Sequence, residues 1–132
     1  MARGTYVFAG PPGSADILTS IIEAALGQAV IREPGSDPYV RADPLAVYIS
    51  SHDFDNGDID APDGSPVALQ TGYPHLADIR DTERNLQRQQ EVAERIFSAI
   101  KADGRLNAVY VDDMQHVVET TEPGNMAPSS PA

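Results

Sequence analysis

Thr5-Tyr6-Val7-Phe8-Ala9, then Gly10-Pro11-Pro12-Gly13-Ser14, then Ala15-Asp16-Ile17-Leu18-Thr19-Ser20-Ile21-Ile22-Glu23-Ala24-Ala25-Leu26-Gly27, is the stretch from which the fold is read. The first run is β-branched and aromatic and stops at a Gly/Pro cluster, the signature of a strand entering a loop. Ser14 stands where a helix wants an N-cap oxygen, and Asp16 lies in the first turn, where the helix dipole favours a carboxylate. Ile17, Leu18, Ile21, Ile22, Ala25 and Leu26 then share one helical face until Gly27 ends it. The chain opens as strand, loop and amphipathic helix.

Working outward, Ala29-Val30-Ile31-Arg32 reads as a brief strand, and Pro34-Gly35-Ser36-Asp37-Pro38 turns the chain into Tyr39-Val40-Arg41. Leu45 to Ser50 is the strongest strand pattern, and Val67 to Thr71 is expected to return antiparallel to it across an acidic loop. Between Leu76 and Asp103 there is no Gly or Pro, and Ile79, Leu86, Ala93 and Ile100 fall seven apart, which predicts one long helix ended by Gly104. Its polar first half, Arg80 to Gln90, is expected to project into solvent. Asn107 to Val111 and Gln115 to Glu119 supply closing strands. The order predicts an α+β two-layer sandwich, a mostly antiparallel sheet with two helices on one face, in a ferredoxin-like arrangement. Tyr6, Tyr48 and Tyr110 are expected on the opposite, open face, with the strand valines and isoleucines toward the helices. The 132 residues fit one domain over 1–122, and the Pro-rich 123–132 is expected to be a disordered tail.

Charge narrows the function. The formal net charge is -11, with 9 Lys+Arg against 20 Asp+Glu, which disfavours nucleic acid as a partner. Residues 42–79 hold seven acids and no Lys or Arg, and residues 106–132 hold four acids and none. If the central loop and the last strands are neighbours, they form one broad negative face suited to steering a basic partner. The absence of cysteine excludes disulfides and thiolate chemistry. No apolar run approaches the ~20 residues of a membrane span, and a soluble, cytoplasmic protein is expected.

No diagnostic catalytic motif is present, and neither an enzyme nor a cofactor is expected. Gly10-Pro11-Pro12-Gly13-Ser14 lacks the Lys and the following hydroxyl that a phosphate-binding loop needs, and Asp16 would repel phosphate. The segment Asp53 to Gly64 has the oxygen content of a Ca²⁺ loop, but Gly57 comes one residue early for an EF-hand. His52-Asp53 follows a strand, not a helix, and His75 and His116 lack a second ligand at helical spacing, so no metal site is expected. The alternatives are a small metal-assisted enzyme or Ca²⁺-responsive module using loop 53–63 with His52 or Asp112-Asp113, and an assembly subunit pairing through Arg80 to Gln90.

In layout, with Val7-Phe8-Ala9-Gly10 leading into Ser14 to Leu26 and Ala108-Val109-Tyr110-Val111-Asp112-Asp113 near the end, the chain resembles the immunity proteins of bacterial polymorphic toxin systems. The resemblance implies a stable scaffold that presents acidic and aromatic side chains to a basic, toxin-like protein. It carries over no binding residue. The expected partner-binding set comes from charge and composition: Asp53, Asp55, Asp58, Asp60 and Asp63, supported by Tyr48, Asp112 and Asp113.

Overall fold

A computed structural model describes residues 4–112 and 116–121. Strand β1 (Thr5–Gly10) leads into helix α1 (Ala15–Leu26), followed by strands β2 (Val30–Ile31), β3 (Tyr39–Ala42) and β4 (Leu45–Ser51). The short helix α2 (Leu69–Gly72), strand β5 (His75–Asp81), helix α3 (Leu86–Asp103) and strands β6 (Asn107–Asp112) and β7 (His116–Thr120) complete it. The strands form one seven-stranded sheet, ordered β2-β3-β4-β5-β1-β6-β7, with every pairing antiparallel. Within it, β4-β5-β1-β6 with α1 and α3 has the split β-α-β order of a ferredoxin-like core, extended by the β2-β3 hairpin at one edge and β7 at the other.

The helices form one layer over the sheet. Leu18, Ile21 and Ile22 of α1 and Val92, Ala93, Ile96, Phe97 and Ile100 of α3 meet Val7, Ala9, Val40, Val47, Ile49, Ala77, Ile79 and Ala108 from the sheet. These strand residues alternate along their strands, as one buried face requires. Gly27 closes α1 with φ 68, a left-handed conformation that costs glycine little, and its N–H donates to Glu23 O at 2.8 Å.

Three expectations are corrected. Residues 75–81 are strand, not the first half of a long helix: α3 begins at Leu86, with Asn85 as N-cap accepting from Arg88 N–H, and it lies along the sheet. Ile79 enters the helix-side core from β5, whereas Leu86, the first residue of α3, is only half-buried outside that core, so their seven-residue spacing marks no shared helical face. The partner of β4 is therefore β5, in register from Leu45↔Asp81 to Ser51↔His75, and Leu69–Gly72 is a helical turn. Tyr110 faces the helices, buried 6.4 Å from the Phe97 ring, whereas Val109 and Val111 face the other way. The tail 123–132 lies outside the described residues.

A buried polar network joins β5 to the start of α3. Asp81 accepts from Arg88 through Nε and, at 3.0 Å, Nη2, and from Glu83 N–H at 2.7 Å. Gln89 accepts from Asp81 N–H at 3.0 Å and donates to Thr5 Oγ1 at 2.7 Å. The Arg88 hydrogen bond holds the Asp81 carboxyl below the usual carboxylate range, against the opposing effect of its burial.

Candidate partner-binding surface

The second face of the sheet is open only in part. Residues 52–74 fold back over it as a layer of their own, seating Ile59, Val67, Leu69 and Tyr73 on Phe8, Leu76, Val109, Val111 and Val117, with Phe54 and Ala61 at the margin. Gly10 makes this approach possible, because any Cβ there would overlap the Gly72 carbonyl oxygen.

The layer is held by its own hydrogen bonds. Gly57 N–H donates to Val67 O at 2.9 Å, Val67 N–H to Ile59 O at 2.9 Å and Ala61 N–H to Ser65 O at 2.7 Å. Asn56 Oδ1 accepts from the N–H groups of Gln70 and Thr71 at 2.9 and 3.2 Å, meeting the otherwise unpaired donors of α2. Asp58 Oδ2 accepts from Asp55 N–H at 2.8 Å, and Asp63 Oδ1 accepts from the Ser65 hydroxyl at 2.6 Å and its N–H at 2.9 Å. The Ser65 bonds, the hydroxyl's first, keep Asp63 ionised below the ordinary carboxylate range.

Asp53, Asp55, Asp58, Asp60 and Asp63 are all exposed on this layer. Asp58 and Asp63 shape the loop, while the carboxylates of Asp53, Asp55 and Asp60 make no hydrogen bond or ion pair among the described residues. The sheet alternation separates the rest of the expected set. Asp112 is 5% exposed on the helix side, where its Oδ2 accepts from Gln90 Nε2 at 3.1 Å. Glu119 also lies toward the helices, 3.3 Å from Lys101 Nζ. Of the described acids, the last strands thus add neither Asp112 nor Glu119 to the loop's negative face, and Asp113 lies outside the described residues.

Tyr48 does lie on the loop's side of the sheet, over the half the loop leaves uncovered. Cross-strand register lines up Tyr39, Tyr48, Asp78 and Tyr6, and beside them Arg41, Ala46 and Arg80. The Arg80 guanidinium sits 4.9 Å from the Tyr48 ring centroid and pairs with Asp78 at 2.8 Å. Sequence reasoning missed Tyr39, Asp78 and Arg80 as surface groups. The last two were assigned to a helix, although the alternation Leu76, Asp78, Arg80 against Ala77, Ile79, Asp81 was available as a signal.

Among the described residues no group of three or more His, Asp or Glu side chains is arranged to hold an ion. The Ser14 hydroxyl donates to Pro11 O at 2.5 Å, so its proton is committed to a carbonyl, and it is the Ser14 N–H that meets His75 Nε2, at 3.2 Å. Comparison with protein-family models, with curated proteins and with solved structures finds no match. Among the described residues no helix is long and apolar enough to cross a membrane.

Proposed function

We propose that this chain is a protein-binding module that captures a basic protein partner on loop 53–63 and thereby inhibits or sequesters it, in the manner of the immunity proteins it resembles. The observation that supports this reading is the fixed presentation of charge. Five exposed carboxylates ride on a layer anchored in the sheet by Ile59, Val67 and Leu69, with no Lys or Arg in residues 42–79. A surface already ordered before contact loses less conformational entropy on binding, and its field speeds encounter with a basic partner. Tyr48 and Arg80, on the uncovered half of the same face, are of the types that anchor interfaces. Of the Arg80 to Gln90 stretch on which the assembly alternative rests, Arg80 and Asp81 belong to β5 and only Leu86 onward is helix.

The test is affinity capture from the source lysate at low and high salt, followed by the variant D53N/D55N/D60N, which alters none of the loop's hydrogen bonds. A stoichiometric basic protein that elutes with salt and binds the variant at least tenfold more weakly, about 1.4 kcal/mol, is the expected result. Equal retention by the variant would remove the loop from the interface.

A further inference from the structure

We propose that the hollow at the bare end of the second sheet face, bounded by Gly4, Tyr6, Tyr48, Arg80, Thr82 and Arg84, binds a small organic acid whose carboxylate is carried on a flat ring. The hollow is a cavity of about 470 Å³ where β1 begins and β5 ends, a size that suits a small molecule. It depends on Gly4 having no side chain. A Cβ there would lie 2.5 Å from the Tyr6 ring and hydroxyl, so the ring leans into space that any other residue would fill. Tyr48 stands across from Tyr6, both in register with Asp78 of β5, and Ala46, two residues back along β4, contributes only a methyl to the lining.

The lining carries two acids, and each is already matched. Asp78 accepts from Arg80 at 2.8 and 3.2 Å, and Asp81 is held by Arg88 and by Glu83 N–H at 2.7 Å. The neighbouring Glu83 carboxylate pairs with Arg88 too, at 2.9 Å. Arg80 is further engaged by Tyr48, over whose ring its guanidinium lies. The Arg84 guanidinium is exposed, lines the same cavity as the two tyrosines, and makes no hydrogen bond or ion pair among the described residues. It is the guanidinium at this hollow that no carboxylate has engaged. Its planar fork of donors fits a carboxylate, and the tyrosine rings supply the surface on which an aromatic ring packs.

The backbone supports the same assignment. Arg84 has φ 60, and every other described residue with positive φ is a glycine. A side chain in that region costs conformational energy that glycine avoids. The turn nevertheless holds arginine there: Arg84 N–H donates to Asp81 O at 3.0 Å, and Thr82 donates to Pro44 O through N–H at 2.8 Å and Oγ1 at 2.9 Å. Strain fixed in this way by its surroundings is characteristic of residues that clamp ligands. This inference concerns a ligand other than the partner of loop 53–63 and does not rest on that reading.

Titration of the full chain with phenylacetate, followed by ¹H–¹⁵N spectra, should give saturable shifts concentrated at Tyr6, Arg80 and Thr82, with a Kd of about 1 mM or tighter for a ligand of this size. Acetate, which lacks the ring, and phenethylamine, which carries the opposite charge, should bind at least about tenfold more weakly. Arg84→Gly meets the positive φ without strain, so it should fold and yet bind phenylacetate at least about tenfold more weakly. Gly4→Ala, which displaces the Tyr6 ring, should also weaken binding. N-Acetylphenylalanine in a parallel titration distinguishes a free acid from the end of a polypeptide, and tighter binding of either supports the site. No saturable shift at about ten times the expected Kd, equal binding of acetate or phenethylamine, or undiminished binding by Arg84→Gly would each overturn the proposal.

Discussion

Shortening Leu69 to alanine removes the branch beyond Cβ from a side chain that has no exposure, in the part of the 52–74 layer, Val67 to Thr71, that sequence reasoning took for a returning strand. The lost transfer free energy is about 2.4 kcal/mol, at roughly 0.8 kcal/mol per buried methylene-sized group. A cavity term adds to this, but Leu69 sits in a thin layer lined by Phe8 and Leu76 that can partly collapse, so the total belongs in the lower half of the ~2–5 kcal/mol seen for such truncations. We expect a loss of about 3 kcal/mol in urea unfolding with an unchanged m-value, and a melting point lower by roughly 10 °C. Ile96→Ala in the helix layer, also fully buried, should cost a similar or larger amount and give a single transition of the same shape. A loss below about 1 kcal/mol for Leu69→Ala, with Ile96→Ala behaving as expected, would refute the view that the 52–74 layer belongs to the cooperative fold.

Gly10→Ala should destabilise the protein by about 2 kcal/mol or more, because the new methyl overlaps the Gly72 carbonyl and must push the end of α2 from β1; denaturant midpoints measure it. Asn85→Ala removes the oxygen that accepts from Arg88 N–H at 3.0 Å and should cost about 1 kcal/mol by the same assay. Asp81 supplies acid sensitivity. Its folded pKa is depressed, chiefly by Arg88, so its contribution is present above the unfolded value of about 3.9 and is lost as pH falls below that. Asp81→Asn should therefore flatten the fall of urea midpoint with pH below about 4, and an unchanged acid limb would count against the pairing.

What could be read from the sequence was whatever had one buried face or clear punctuation. The opening strand, α1 and the edges of the last two strands are bounded by Gly and Pro or carry a one-sided apolar stripe, and they stand where expected. The second layer was not legible. Because 52–74 covers part of the far side of the sheet, β6 is buried on both faces, and Val109-Tyr110-Val111 gives no sign of which residue points inward. The segment 75–81 lacked any breaker before Arg84, whose φ of 60 makes the turn without glycine, and Asn85 as a cap was the overlooked marker. The apolar run at Val67 to Leu69 looked like a strand because both ends serve a core, although the backbone there is a loop and one helical turn. Of the expected surface set, the five loop aspartates and Tyr48 could be placed from composition. Asp112 could not, because its side of the sheet depended on that undetermined alternation.

β1 lies between β5 and β6, with Thr5 opposite Ile79 on one side and Asp112 on the other. The strand synthesised early thus has no neighbour in the sheet until some seventy further residues exist and no second neighbour until after a hundred. During translation, Val7 and Phe8, which later face two different cores, remain without either, so the chain cannot acquire its structure piece by piece from the N-terminal end. Closure of the sheet waits on β6 and requires contacts distant in sequence, which places this molecule among slow folders for its size and makes the arrival of β6, rather than the emergence of α1, the event that completes its core.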